Sequence, residues 1–151
     1  RTRMAEEARN CGAVVHAEGT YLCMEGPAFS TRAESHLYRA WGMDVIGMTN
    51  LTEAKLAREA EICYATMALV TDYDCWHPEH DDVDIAQILG YLRANAVMAQ
   101  TILRNSIQPA AARGRSCACA NALQFAIITD RAAIPAQIKH DLAPLIGKYV
   151  Q

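Results

Sequence analysis

Two carboxylates, Asp72 and Asp74, follow the most continuous apolar run in the chain, Met67-Ala68-Leu69-Val70. If the chain stays extended there, side chains two apart point to the same side. Like charges held close push one pKa upward, and a carboxyl kept protonated near neutrality can give its proton to a leaving group. A solvated loop or a helix cap uses the same residues without chemistry. A Mg²⁺ site is a third reading of Asp-x-Asp, but no third hard ligand is placed for it. Phe29, in Gly-Pro-Ala-Phe-Ser, is able to stack on a flat heterocycle, although a lone aromatic is more often a core plug. Ser30 and Thr31 precede a helix whose first amides could take an anion; capping that helix is the commoner role. Met48-Thr49 pairs a flexible apolar group with a hydroxyl, which suits a sugar and an anion.

Metal chemistry has two candidate sources. The stretch from His77 to Asp82 is rich in His and carboxylates, but its spacing matches no zinc pattern and reads as a solvated cap. Cys117-x-Cys119 is half a zinc site, a disulfide or a pair of buried thiols, with no second Cys or His pair following at the usual spacing. Zinc is the least favoured of the three readings.

The elements that must position these residues alternate in type. Residues 3–10 read as a helix closed by Gly12. Ala13–His16 and Thr20–Glu25 read as short strands. Thr31-x-x-Glu34 is a capping-box pattern opening a helix to Trp41, which Gly42 ends. Asp44–Gly47 is a further strand, and Asn50 or Thr52 caps a helix through Ala60. Ile62–Thr71 has the strongest strand pattern and suits burial on both faces. A long helix is expected from Val83 to Ile107, opened by Asp81-Asp82, with Ile85, Ile88 and Leu89 on its apolar stripe. Pro109–Arg115 reads as a loop, Ser116–Ile128 as a helix, and Pro135 opens a last helix to Tyr149. The order favours an α/β fold with a mixed sheet and flanking helices. Ligands of such sheets gather outside the strand ends, so Glu25–Ser30, Met48–Thr49 and Thr71–Trp76 are expected to form one site.

Composition narrows the class. The 151 residues are 52% hydrophobic and 21% charged, with net charge −3, an ordinary globular balance. No basic stripe is present, which argues against nucleic acid as a partner, and no apolar run is long enough for a membrane helix. Residues 1–10 lack the apolar core of a signal peptide. Six cysteines without a disulfide pattern suit the cytoplasm. The chain opens on Arg1 rather than Met, and too few strands are legible for a full doubly wound core. Both lead us to expect one piece of a longer polypeptide.

Three ordered segments resemble one family. Glu25-Gly26-Pro27-Ala28-Phe29-Ser30-Thr31-Arg32-Ala33-Glu34-Ser35, Asp44-Val45-Ile46-Gly47-Met48-Thr49 and Thr71-Asp72-Tyr73-Asp74-Cys75-Trp76 are similar to motifs of the 5′-methylthioadenosine phosphorylases, in their order and spacing. The resemblance covers residues 1–107, which would make the chain, 1–151, the carboxy-terminal, purine- and ribose-binding part of a single-domain nucleoside phosphorylase. It implies phosphorolysis of methylthioadenosine to adenine and 5-methylthioribose 1-phosphate, with inorganic phosphate as co-substrate and no metal or organic cofactor. Carried over by residue, Asp72 faces purine N7 and the exocyclic amine, supported by Asp74. Phe29 stacks on the base and Ser30 sits near it. Met48 packs on the ribose, Thr49 touches phosphate and sugar hydroxyls, and Ile85, Ile88 and Leu89 line the methylthio pocket.

The family's main phosphate grip lies in an N-terminal segment that this chain does not contain, so that segment is an expected partner, and relatives are homotrimers or hexamers. A phosphorylase for 6-oxopurine nucleosides or methylthioinosine is the nearest alternative; an Asp rather than an Asn at position 72 favours an aminopurine. A non-catalytic nucleoside-binding half-module is the alternative of another class.

Overall fold

The computed structural model describes residues 1–77 and 85–150. In chain order its main elements are α1 (Thr2–Asn10), β1 (Tyr21–Cys23), α2 (Arg32–Ala40), β2 (Val45–Gly47), α3 (Asn50–Glu59), α4 (Ile85–Ala112), α5 (Ala136–Asp141) and α6 (Ala143–Val150). They fall into two compact units. The first comprises Arg1–Asn50 and Thr66–Gly114, the second Leu51–Ala65 and Arg115–Gln151. Among the described residues no helix is long and apolar enough to cross a membrane.

The first unit is built on a β-α-β turn of the chain. β1 and β2 pair in parallel, Tyr21 opposite Val45 and Cys23 opposite Gly47. Parallel neighbours need a crossover, and α2 supplies it. Pairing continues past each end, with Asp44 N–H donating to Thr20 O at 2.9 Å and Met24 N–H to Gly47 O at 2.9 Å. The Asp44 carboxylate also accepts from Thr20 N–H. Gly47 has a steric reason: a Cβ there would fall 1.9 Å from the Tyr21 hydroxyl, which crosses the neighbouring strand. The expected capping box is present. Thr31 accepts from Glu34 N–H and Glu34 accepts from Thr31 N–H, fixing the angle at which α2 leaves the Glu25–Ser30 loop. α1 packs on α4, burying Ala8 and Ile102.

Several expected elements differ. Ala13–His16 forms no strand, and Val14 is 91% exposed. Ile62–Thr71 makes no ladder among the described residues; Leu69 and Val70 lie open to solvent, and Val70 O is taken by the Asn95 side chain at 3.1 Å. A strand pattern specifies a strand only where a second backbone completes the ladder. The long helix runs on through Pro109 to Ala112, where the expectation was a loop. Near a helix end a proline forfeits one hydrogen bond without ending the helix. The start of that helix at Asp81-Asp82 lies outside the described residues.

In the second unit, Ser116–Ile128 is not a helix but a 3₁₀ turn, Ala118–Asn121, followed by irregular turns. Its backbone is claimed elsewhere. Leu123 N–H donates to Glu61 at 3.1 Å, and Ala120 O accepts from the Lys148 ammonium. The expected last helix is two, α5 and α6, parted at Leu142 just before Pro144, whose missing N–H cannot join the α5 ladder. Among the described residues only Ala8, Ile102 and Val150 are buried apolar residues.

Glu61 organises the second unit. It sits at φ 55° beyond α3, and its carboxylate accepts from Leu123 N–H, from the Tyr149 hydroxyl and from Lys148. Burial pushes that carboxyl up, but hydrogen bonds from Lys148, Tyr149 and Leu123 outweigh it and hold the pKa at about 2. A folded pKa below the unfolded value of 4.5 gives stability that is full above 4.5 and is lost as pH falls from there towards about 2. Acid titration followed by circular dichroism should show this loss in the parent, and Glu61→Gln should remove the titration while lowering stability at neutral pH. Thr31→Ala should cost about 1 kcal/mol in urea unfolding, the usual worth of an N-cap.

Candidate active site

Three loops meet in the first unit, and four contacts tie them and the segment before them. The first runs between loops one and two: a Cβ on Gly26 would lie 2.7 Å from Met48 Sδ, so the Met48 thioether rests on the glycine. Gly26 also has φ +65°, a backbone conformation that disfavours side chains, and its bond to Pro27 is cis. The second joins loops one and three, with Cys75 Sγ donating to Ser30 O at 3.4 Å. Lost solvation and the adjacent Asp74 charge push that thiol up, which keeps it the donor. In the third contact the Ser35 hydroxyl of α2 donates to Asp74 Oδ2 at 2.7 Å. In the fourth, Asn95 of α4 holds Val70, just before the third loop.

Asp72 and Asp74 do not share a face, contrary to the spacing argument. Tyr73 is at φ −97°, ψ 12° and Asp74 at φ 59°, so the chain turns into a short 3₁₀ helix, Asp74–Trp76, instead of continuing extended. The two carboxylates have separate jobs. Asp74 turns inward to Ser35, which is 2% exposed, while its own N–H donates to Asp72 Oδ1 at 2.9 Å. Asp72 is exposed and takes a second hydrogen bond on Oδ2 from the Thr71 hydroxyl at 2.7 Å. Each Asp72 oxygen thus accepts one hydrogen bond, and the pair fixes the carboxyl plane.

An open cleft of about 460 Å³ is lined by Met24, Glu25, Gly26, Phe29, Glu34 and Tyr38, among others, a volume within the usual range for small-ligand sites; its lining comes from the first loop, its approach and α2, and Met48, Thr49, Asp72 and Asp74 are not part of it. Phe29 is 85% exposed on it, an uncovered aromatic face rather than a core plug. Ser30 is half-buried, its hydroxyl 3.6 Å from Met24 Sδ. Thr49 is exposed just past β2. On α4, Ile88 is half-buried and Leu89 exposed; the side chain of Ile85 lies outside the described residues.

Sequence reasoning missed Ser35 and Arg39. The Arg39 guanidinium lies 3.3 Å from the centroid of the Trp76 ring, a cation–π contact that pins the third loop to α2. The only signal for Ser35 was a small hydroxyl one turn after the N-cap, on the face shared with Tyr38. The metal readings also change. His77 packs in tilted contact with Tyr73 and Trp76, ring centroids 5.0 Å away, and residues 78–82 of that cluster lie outside the described residues. In the second unit Cys117 and Cys119 are joined by Cys63, which the spacing had not drawn in. Hydrogen bonding from Cys119, backbone first, and from Cys63 lowers the Cys117 thiol to about 7.

The family model described as the phosphorylase superfamily matches residues 1–108. The chain is 60% identical over 143 residues to an S-methyl-5′-thioadenosine phosphorylase of Geobacter sulfurreducens, covering 95% of this chain and 50% of that protein. It is 58% identical over 138 residues to the enzyme of the same name from Koribacter versatilis, covering 91% and 47%. A crystal structure of a methylthioadenosine phosphorylase from an antarctic soil metagenomic library superposes with TM-score 0.87 at 44% identity, over 95% of this chain and 51% of that one. The methylthioadenosine phosphorylase of Schistosoma mansoni in complex with adenine gives TM-score 0.68 at 34% identity, over 75% and 45%. The chain spans about half the length of the curated relatives it matches.

Ser35→Ala should release the Asp74 carboxylate and cost about 1.5–3 kcal/mol in urea unfolding, the range for hydrogen bonds to charged groups. Ser35→Thr should recover part of it.

Proposed function

This chain belongs to the phosphorylase superfamily, and we propose that it is the purine- and ribose-binding, carboxy-terminal half of an enzyme that cleaves 5′-methylthioadenosine with inorganic phosphate, releasing adenine and 5-methylthioribose 1-phosphate. One observation carries the reading: all three motif loops are tied together, and the first of them lines a cleft that displays Phe29.

Breaking the glycosidic bond builds positive charge on the sugar and negative charge on the departing base. Phe29 stacks on the purine, Ser30 lies at its edge, and Asp72, which takes up a proton from solvent as the substrate binds, gives that proton to N7 while its other oxygen accepts from the exocyclic amine. The hydrogen bonds from Thr71 and from Asp74 N–H hold Asp72 in one orientation for that exchange. Such stabilisation acts where charge develops, so it lowers the barrier rather than merely tightening binding. Met48 packs on the ribose, Thr49 meets phosphate and sugar hydroxyls, and Ile88 and Leu89 bound the 5′ thioether. Asp74 is a positioning residue, since its carboxylate is occupied by Ser35.

The remaining phosphate contacts come from a preceding segment of the same polypeptide. The exposed Leu69 and Val70 and the thin core of the first unit support such a covering segment. The chemistry calls for no metal or organic cofactor. The family resemblance supports a homotrimer or a pair of trimers, and six free thiols support a cytoplasmic setting.

The test pairs an intact-mass measurement under denaturing conditions with an assay for adenine release from methylthioadenosine, with and without phosphate. The chain joined to its preceding segment should release adenine only with phosphate, and Asp72→Asn should slow it about 10²–10⁴-fold. Nucleoside binding indifferent to phosphate, with Asp72→Asn as active as the parent, would leave a binding module instead.

A further inference from the structure

The sulfur atoms of Cys63, Cys117 and Cys119 lie within 4.8 Å of one another, with Cys63 and Cys117 at 3.3 Å. All three belong to the second unit, and none has a part in the phosphorolysis described above. We infer that these three thiols form a binding site for one thiophilic divalent cation of the zinc class, with the fourth coordination position open.

The separations suit one tetrahedral ion. Zn–S bonds of about 2.3 Å in tetrahedral array set sulfurs about 3.8 Å apart, so the ion requires only sub-ångström movement of each thiol. Binding exchanges each S–H proton for a metal–sulfur bond, releases the protons to solvent and changes no oxidation state. Three thiolates and a divalent ion leave one net negative charge, and a cleft that includes both Arg58 and Cys119 in its wall provides an entry path and a compensating cation.

The cluster is also held from behind, which distinguishes it from three cysteines meeting by chance. Cys63 follows Glu61 by two residues, and Glu61 is fixed by the chain reversal that closes α3, where Ile62 N–H donates to Ala57 O at 2.8 Å. The same carboxylate grips Leu123 N–H, and Lys148 grips both Glu61 and Ala120 O, the residue after Cys119. One ion-pair network thus fixes both chain segments that carry the ligands, the supporting role that hydrogen-bonded groups play around metal sites.

The experiment uses the chain joined to its preceding segment, reduced and kept free of oxygen. Zn(II) is titrated against a chromophoric chelator, and each state is treated with an alkylating reagent and mapped by mass spectrometry. We expect about one Zn(II) per chain and protection of Cys63, Cys117 and Cys119, while the other three cysteines react as before. Cobalt substituted for zinc should give a sulfur-to-metal charge-transfer band. Cys63→Ser should lose the band and the protection, and Cys11→Ser should keep both. The site is overturned if the chain takes up no zinc, or if zinc protects only Cys117 and Cys119 and leaves Cys63 reactive.

Discussion

The bond between the Ser35 hydroxyl and Asp74 carries more of the first unit than its size suggests. A half-buried carboxylate oxygen needs a donor, and the buried hydroxyl of α2 supplies it. With its carboxylate anchored, Asp74 adopts the left-handed backbone that ends the extended chain, and its N–H is aimed at Asp72. The orientation of the exposed carboxylate is thereby set by a helix that begins at the capping box beside the Phe29 loop. Met48 on Gly26, Arg39 on Trp76 and Cys75 on Ser30 lock the same loops from other directions. The geometry is over-determined by several modest contacts, which is how a backbone conformation unfavourable in isolation persists.

Local signals in the sequence were strong where a few adjacent residues decide the structure. Thr31 and Glu34 specify their capping box, Gly12 and Gly42 close helices at positive φ, and two short apolar segments around α2 make the parallel pair. The motif segments identified the family because their order and spacing are specific, and the loops they mark do converge. The division of labour between Asp72 and Asp74 was not legible, because it depends on one φ angle at Asp74 and a partner 39 residues away.

Longer-range errors share a cause. Ile62–Thr71 carries a strand pattern without a ladder, and Ser116–Ile128 carries a helical pattern whose backbone groups are bonded to Glu61 and Lys148. In both, tertiary partners rather than local propensity decide. Cys63 joined Cys117 and Cys119 for the same reason. The reversal at Glu61 brings together residues that no spacing rule connects.

The uncovered run Met67–Val70 has a consequence for biosynthesis. It is apolar, uncharged and free of proline, with backbone that forms no ladder among the described residues. Such a segment is a template for any passing strand, including its own copies. Chains emerge from the ribosome amino end first, so a preceding segment already folded would meet this run as it appears and shield it before intermolecular pairing begins. Separated from such a segment, the same residues would turn from a covered strand into a nucleus for aggregation, and a chaperone would have to recognise them before another chain did.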